Sequence, residues 1–187
     1  MSRYGTVVAL LLLSNCSRDR EVLDRFSHSY TSFCDVETDA RMSSEGLLFL
    51  LDESRQLRTA ANRDLLDKKL SVLVVEVNRQ LASLDERVSD LNKVANETQT
   101  GNYRGEVLEV ANTAKEVQVN LISEHRLILR RFNVQERVAE PEKIAKLNRE
   151  IQEQQASLAT AERKCQARFM ALKKESGMQE YPLKNRF

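Results

Sequence analysis

The feature that most constrains this chain is a heptad repeat near its carboxyl end. From residue 144 to residue 172 a stripe of mainly apolar residues recurs at alternating intervals of three and four, with charged residues between. The stripe consists of Ile144, Leu147, Ile151, Gln154, Leu158, Ala161, Cys165, Arg168 and Leu172, with Phe169 beside its far end. Four heptads of this kind are typical of a coiled coil, in which another helix must cover each stripe. Gln154 and Arg168 are the polar positions that help to fix its register.

The rest of the chain has the same character, because few residues in it break helices. Its 187 residues include only five Gly and two Pro, and charged residues make up 30%. Two further stripes with three-four spacing cover residues 66–95 and 107–128, and Glu124 is a polar interruption in the second. These patterns predict an all-α fold, an elongated antiparallel helical bundle or coiled coil.

The breaks between stripes predict four helices, at about residues 19–36, 44–99, 106–138 and 141–176. The polar stretch DVETDARMSSEG predicts a turn after the first helix, with Ser43 and Ser44 capping the second. Residues 47–51 are apolar on all sides, which predicts a well-buried segment. Gly101 and Gly105 provide the second turn, and Pro141 suits the first turn of the last helix.

The amino terminus has a different composition from the rest. Residues 4–13 form an uncharged, largely apolar run after Arg3. The run is too short to span a bilayer, which takes roughly 20 apolar residues, but it matches the core of a signal peptide. The alternative is a helix that is buried against the protein or touches a membrane.

The end of this run, Leu13-Ser14-Asn15-Cys16, resembles the lipobox of bacterial lipoprotein precursors. In that family a Leu lies three residues before a Cys that is acylated and becomes the new amino terminus. Asn15 stands where Gly, Ala or Ser is usual. The resemblance implies lipid attachment at Cys16. It divides the chain into a signal-peptide-like segment, residues 1–15, and a single helical rod domain, residues 16–187.

Two cysteines remain beyond Cys16. Cys34 and Cys165 are compatible with one disulfide in an oxidising compartment, and equally with small buried apolar residues in a reducing one. Cys165 falls on the apolar stripe of its helix, which favours a place in the core.

Charge gives no reason to expect nucleic-acid binding. The chain has 29 basic and 28 acidic residues, interleaved along its length. Removal of residues 1–15 would take away one charged residue, Arg3, and leave a formally neutral chain. We therefore expect protein partners and no nucleic acid.

No motif in the sequence indicates catalysis. His28 and His125 lie on different predicted helices, with no Cys or acid at a metal-ligand spacing from either. The glycines at 101 and 105 are not followed by the Lys-Ser or Lys-Thr pair of a phosphate-binding loop. We expect no enzyme activity, no metal and no cofactor.

Two functions fit these expectations. In the first, the protein is a lipid-anchored component of a bacterial cell envelope that binds other proteins, or a second copy of itself, as a scaffold. In the second, it is a cytoplasmic coiled-coil subunit of a multiprotein assembly of the vesicle-trafficking, kinetochore or centrosome type.

The heptad stripe supplies the interface candidates: Ile144, Leu147, Ile151, Leu158, Cys165, Phe169 and Leu172. We expect residues 66–95 and 107–128 of the same chain to cover most of this stripe. The end beyond Cys165, where Phe169 and Met170 add apolar surface, is the predicted place for a partner.

Overall fold

The part of this protein that the structure describes consists of four helices. The computed structural model describes the backbone of residues 4–56, 60–97, 103–137 and 141–178, and the side chains of residues 20–53, 64–97, 103–134 and 141–178. The helices are α1 (Tyr4–Gln56), α2 (Ala60–Glu97), α3 (Arg104–Arg137) and α4 (Pro141–Ser176). The described residues contain no strand, and the prediction of an all-α helical bundle is confirmed.

The helices pack as two antiparallel hairpins. α1 packs against α2 and α3 against α4 along most of their lengths, while α2 and α1 make smaller contacts with α3. An ion pair between Arg25 and Glu97 joins the amino-terminal part of α1 to the end of α2. The Tyr103 hydroxyl, just before α3, donates a hydrogen bond of 2.9 Å to the Glu175 carbonyl oxygen near the end of α4. Consecutive helices therefore alternate in direction.

The predicted turn within residues 35–46 is wrong, because α1 is one helix from Tyr4 to Gln56. The boundaries 19–36 and 44–99 are wrong with it, since α1 ends at Gln56 and α2 begins at Ala60. The heptad pattern of α1 runs through the predicted turn without a gap, and the polar residues Glu37 and Ser44 occupy two of its positions. This unbroken pattern explains why the helix continues. The full pattern is Leu23, Phe26, Tyr30, Phe33, Glu37, Ala40, Ser44, Leu47 and Leu51.

The later boundaries lie close to those predicted. α4 covers Pro141–Ser176, as expected from Pro141. Gly177 ends it with a positive φ of 66°, and its N–H donates a 3.0 Å hydrogen bond to the Lys173 carbonyl oxygen, the usual helix C-terminal arrangement. Gly105 was predicted as a turn residue together with Gly101, but it lies in the first turn of α3; Gly101 lies outside the described residues.

The core consists of two apolar clusters, one in each half of the bundle. The first contains buried residues from 23–40 of α1, 84–95 of α2, 107–121 of α3 and 158–178. The second contains Leu47, Leu51, Leu70, Ile128 and Ile151. The prediction that residues 47–51 are well buried is wrong at Phe49, which is 62% exposed. A helix at the perimeter of a bundle always keeps an outward face, whatever its composition.

Candidate protein-binding surface and buried polar layer

The predicted interface residues of α4 lie in the interior of the bundle. Ile144, Leu147, Ile151, Leu158, Cys165, Phe169 and Leu172 are all buried. The Phe169 ring stacks on Tyr30 of α1 with centroids 3.8 Å apart, and the Cys165 thiol lies 3.9 Å from the Val110 carbonyl oxygen of α3. Side chains of the same chain therefore cover this seam. α3 makes the main contact, as predicted for residues 107–128, whereas α2, which contains the predicted residues 66–95, is not packed closely against α4. At its far end Phe169 is part of the core, and Met170 is exposed.

The two polar positions of the α4 repeat differ in their environment. Gln154 is half-buried, and its Nε2 donates hydrogen bonds to the side-chain and main-chain oxygens of Asn120, at 2.8 and 3.2 Å. Arg168 is exposed and pairs with Glu109 at 2.9 Å. Arg168 is thus not a core position, because Phe169 takes the buried place beside it.

Both described cysteines are free thiols, and they lie around one tyrosine hydroxyl. Cys34 on α1 and Cys165 on α4 each interact with the Tyr30 hydroxyl group. Burial raises the pKa of the Cys34 thiol to about 12 and raises that of Cys165. A protonated, buried thiol is a poor nucleophile, so these residues act here as core side chains.

A carboxylate pair forms the next layer between α1 and α4. The Glu37 carboxyl group contacts that of Glu162. Arg41 Nε lies 3.9 Å from Glu37 Oε1 and 4.0 Å from Glu162 Oε1, too far for hydrogen bonds. Burial, followed by the contact with Glu162, raises the pKa of Glu37 to about 8, against the opposing effect of Arg41.

A second polar group lies on α3, between the two apolar clusters. Glu124 is 2% exposed, which confirms it as a polar interruption of the seam. Gln155 Nε2 of α4 donates a 2.9 Å hydrogen bond to Glu124 Oε1, and burial raises the pKa of Glu124. The neighbouring His125 is 3% exposed, and burial lowers its pKa, which keeps the imidazole neutral.

The most exposed large apolar side chains among the described residues gather on the first hairpin. Their exposed fractions lie between 58 and 68%, against 53% for Val119 and Met170 elsewhere. They occur seven residues apart on α1 and at intervals of seven and three on α2, so that each set follows one outward stripe. We call these residues the outer seam: Met42, Phe49, Leu65, Val72 and Val75.

The register of the hairpin brings the two halves of the outer seam to the same level. Arg25 pairs with Glu97 at one end, and Leu51 shares a core cluster with Leu70 at the other. In this antiparallel register Phe49 lies level with Val72. Most of the seam therefore lies in the half of the bundle that contains the smaller core cluster.

Charged side chains border the outer seam in a fixed arrangement. Arg79 donates two hydrogen bonds to the Glu76 carboxylate, at 2.6 and 3.0 Å. Gln80 Nε2 donates a third, at 2.7 Å. These contacts hold the pKa of Glu76 below its usual range. An apolar centre with an ordered polar rim is the usual composition of a protein-binding surface.

The outer seam is not among the predictions from the sequence, although the sequence contains a pattern that indicates it. Residues 46–51 and 65–77 each have apolar side chains on more sides than one core-facing stripe requires. The prediction for residues 47–51 is a well-buried segment, and that for residues 66–95 is a single covered stripe. The apolar residues that lie outside the core-facing stripe of each helix are the signal that could have identified the outer seam.

The lipid-attachment prediction at Cys16 falls on a residue whose side chain lies outside those described. The backbone of α1 is helical from Tyr4 onward and passes through this position. Within the described residues, no helix contains an apolar stretch long enough to cross a bilayer.

The described side chains include no group of three or more His, Cys, Asp or Glu residues arranged to hold a metal ion. No protein-family model matches the chain, and comparisons with curated proteins and with solved structures found no match.

Proposed function

We propose that this protein is a scaffold component that binds an amphipathic helix of another protein through the outer seam, and that it is held to a bacterial envelope membrane by lipid at Cys16. The observation that carries the binding role is the exposure of Phe49, Val72 and Val75. Each is more than 60% exposed, although its side chain is large and apolar.

The spacing of the outer seam favours a helix as the bound element. Positions 65, 72 and 75 repeat the three-four rhythm with which one helix contacts another. Covering such residues removes apolar surface from water, at roughly 25 cal/mol for each Å². The mixed charges of the rim, with Glu76 and Arg79 already paired, favour a partner helix that carries both signs of charge.

The binding role predicts that a charge at the centre of the seam abolishes association. We expect Val72→Glu to weaken binding at least tenfold while leaving the free energy of unfolding nearly unchanged, because Val72 is 68% exposed. A photo-crosslinking residue at position 75 in cells identifies the partner, and titration of the purified partner then measures affinity.

Ser89→Glu is the matched control, because it adds the same charge to an exposed position of the same helix outside the seam. Equal affinity of Val72→Glu and the original protein for the crosslinked partner would contradict the proposal. Crosslinking to a second copy of this chain would show that the seam binds that copy, and that the protein forms a homodimer.

The anchor is a separate part of the proposal, and it is supported by Leu13-Ser14-Asn15-Cys16. An intact-mass measurement of the native protein should show a chain that begins at Cys16 with acyl groups attached. Cys16→Ser should release the protein from membranes, since each buried methylene contributes about 0.8 kcal/mol to anchoring. An unacylated chain beginning at Met1 or Ser2 would disprove this part and leave the binding role intact.

The second candidate, a cytoplasmic coiled-coil subunit of a larger assembly, is favoured by a different observation. α1 continues without interruption from Tyr4 to Gln56, so the apolar amino-terminal residues also suit the first turns of a long helix. The same mass measurement distinguishes the two, because this candidate retains residues 1–15.

A further inference from the structure

We propose that Glu37 of α1 and Glu162 of α4 share one proton at neutral pH, and that its loss in mildly alkaline solution loosens the contact between these helices. The proposal concerns a different face of α1 from the outer seam and does not depend on the proposed function.

The arrangement of the charged atoms indicates a shared proton. One oxygen atom of each carboxyl group, Glu37 Oε1 and Glu162 Oε1, is buried without a hydrogen-bond partner among the described residues. Arg41 Nε, which is also buried, is 3.9 and 4.0 Å from these two oxygens. Two ionised carboxylates would leave excess negative charge beside a single cation. With one proton, one carboxylic acid can donate a short, charge-assisted hydrogen bond to the other carboxylate.

Other titratable groups near the pair lie on three helices. Those on α1 and α4 include the Cys34 and Cys165 thiols, whose raised pKa values keep them neutral in the relevant range. None of the groups that shift the pKa of Glu37 lies on α2. The charged groups that interact with the pair or with the side chains next to it are Asp35, Arg41 and Glu45 of α1, and Glu116 and Glu124 of α3.

The direction of the pH effect follows from the raised pKa of Glu37. Its folded-state pKa of about 8 lies above the roughly 4.3 of an unfolded chain. The folded protein therefore binds a proton that the unfolded protein releases. The resulting stabilisation is complete below the unfolded-state pKa, declines as pH rises, and is lost above about 8.

The contact between α1 and α4 is the part of the bundle that should respond. These two helices approach each other less closely than the partners within each hairpin. They meet largely through side chains, including the Tyr30 and Phe169 rings and the Glu37 and Glu162 carboxyl groups. Few other contacts hold α1 and α4 together here, so the repulsion caused by a second negative charge should separate them.

Urea unfolding of the full chain at pH 6.5 and 8.5 tests the proposal. We expect the folding equilibrium constant to fall on the order of tenfold between these pH values. In Glu37→Gln, where an amide donates to Glu162 at every pH, most of this fall should disappear. Glu162→Gln should behave similarly. Glu45→Gln is the control, because it removes an exposed carboxylate 4.0 Å from the same Arg41 and leaves the pair intact.

Hydrogen exchange measured by mass spectrometry locates the response. After correction for intrinsic rates, protection at pH 8.5 should fall first in residues 30–44 and 155–169. An unchanged equilibrium constant in the original protein would overturn the proposal. So would a pH dependence that persists in both Gln variants, or one that Glu45→Gln removes equally.

Discussion

Individual side chains decide which parts of this bundle tolerate change. Ile151 is 2% exposed and belongs to the smaller core cluster, which also contains residues of the other three helices. Gln152, the next residue along α4, is exposed. Substitution of the first should therefore change the free energy of unfolding far more than substitution of the second, as the heptad spacing requires.

Ile151→Ala should lower the stability of the isolated protein by about 2–5 kcal/mol, because it leaves a cavity among buried apolar side chains. Urea unfolding of the purified chain measures the change, with Gln152→Ala as the control on the exposed face. An unchanged midpoint for Ile151→Ala would mean that another chain, and not this one, supplies the cover.

At the scale of the helix, α1 shows why sequence patterns were only partly sufficient. The α4 seam could be predicted because nearly all its positions are apolar. The α1 seam could not, because Glu37 and Ser44 occupy two of its positions and resemble the residues of a turn and a helix cap. Tertiary packing overrides this local preference, since Ala40 and Ser44 are both fully buried. The candidate surface was missed for a related reason: apolar residues alone do not reveal which side of a helix is covered.

Ser44→Ala should stabilise the protein by about 1 kcal/mol. The Ser44 hydroxyl oxygen is buried without a hydrogen-bond partner among the described residues, and burial of an unsatisfied polar group is unfavourable. Alanine also has the higher helix propensity. Thermal unfolding measures the gain, and Ser43→Ala at the half-buried neighbouring position separates the two effects. A loss of stability in Ser44→Ala would show that the hydroxyl group has a partner in solution.

At the scale of the whole molecule, the two hairpins form one bundle with a large surface for its mass. The accessible surface is 12406 Å², against roughly 9,200 Å² for a compact protein of this size. Side-chain links between the hairpins are therefore important for cohesion. One of them is the ion pair of Arg131 on α3 with Asp52 on α1, in which the Arg131 side chain is 2% exposed.

Asp52→Asn should destabilise the protein by about 1–2 kcal/mol, because it removes the anionic partner of a buried guanidinium group. The effect should stay below that of a fully buried pair, since the Asp52 side chain is 60% exposed. Denaturant unfolding at low and high salt measures it. Glu53→Gln removes a negative charge at the next residue and should lower the stability less. An equal loss of stability in the two variants would show that only the net charge matters.

The continuity of α1 has a mechanical consequence. Cys16 and Phe49 lie on one uninterrupted helix, and at 1.5 Å per residue they are about 50 Å apart along its axis. A pull between a tether at the first and a partner at the second would run lengthwise through a single hydrogen-bonded rod, without crossing a loop. The neighbouring helices would then hold this rod in place sideways, while the tension itself ran along α1.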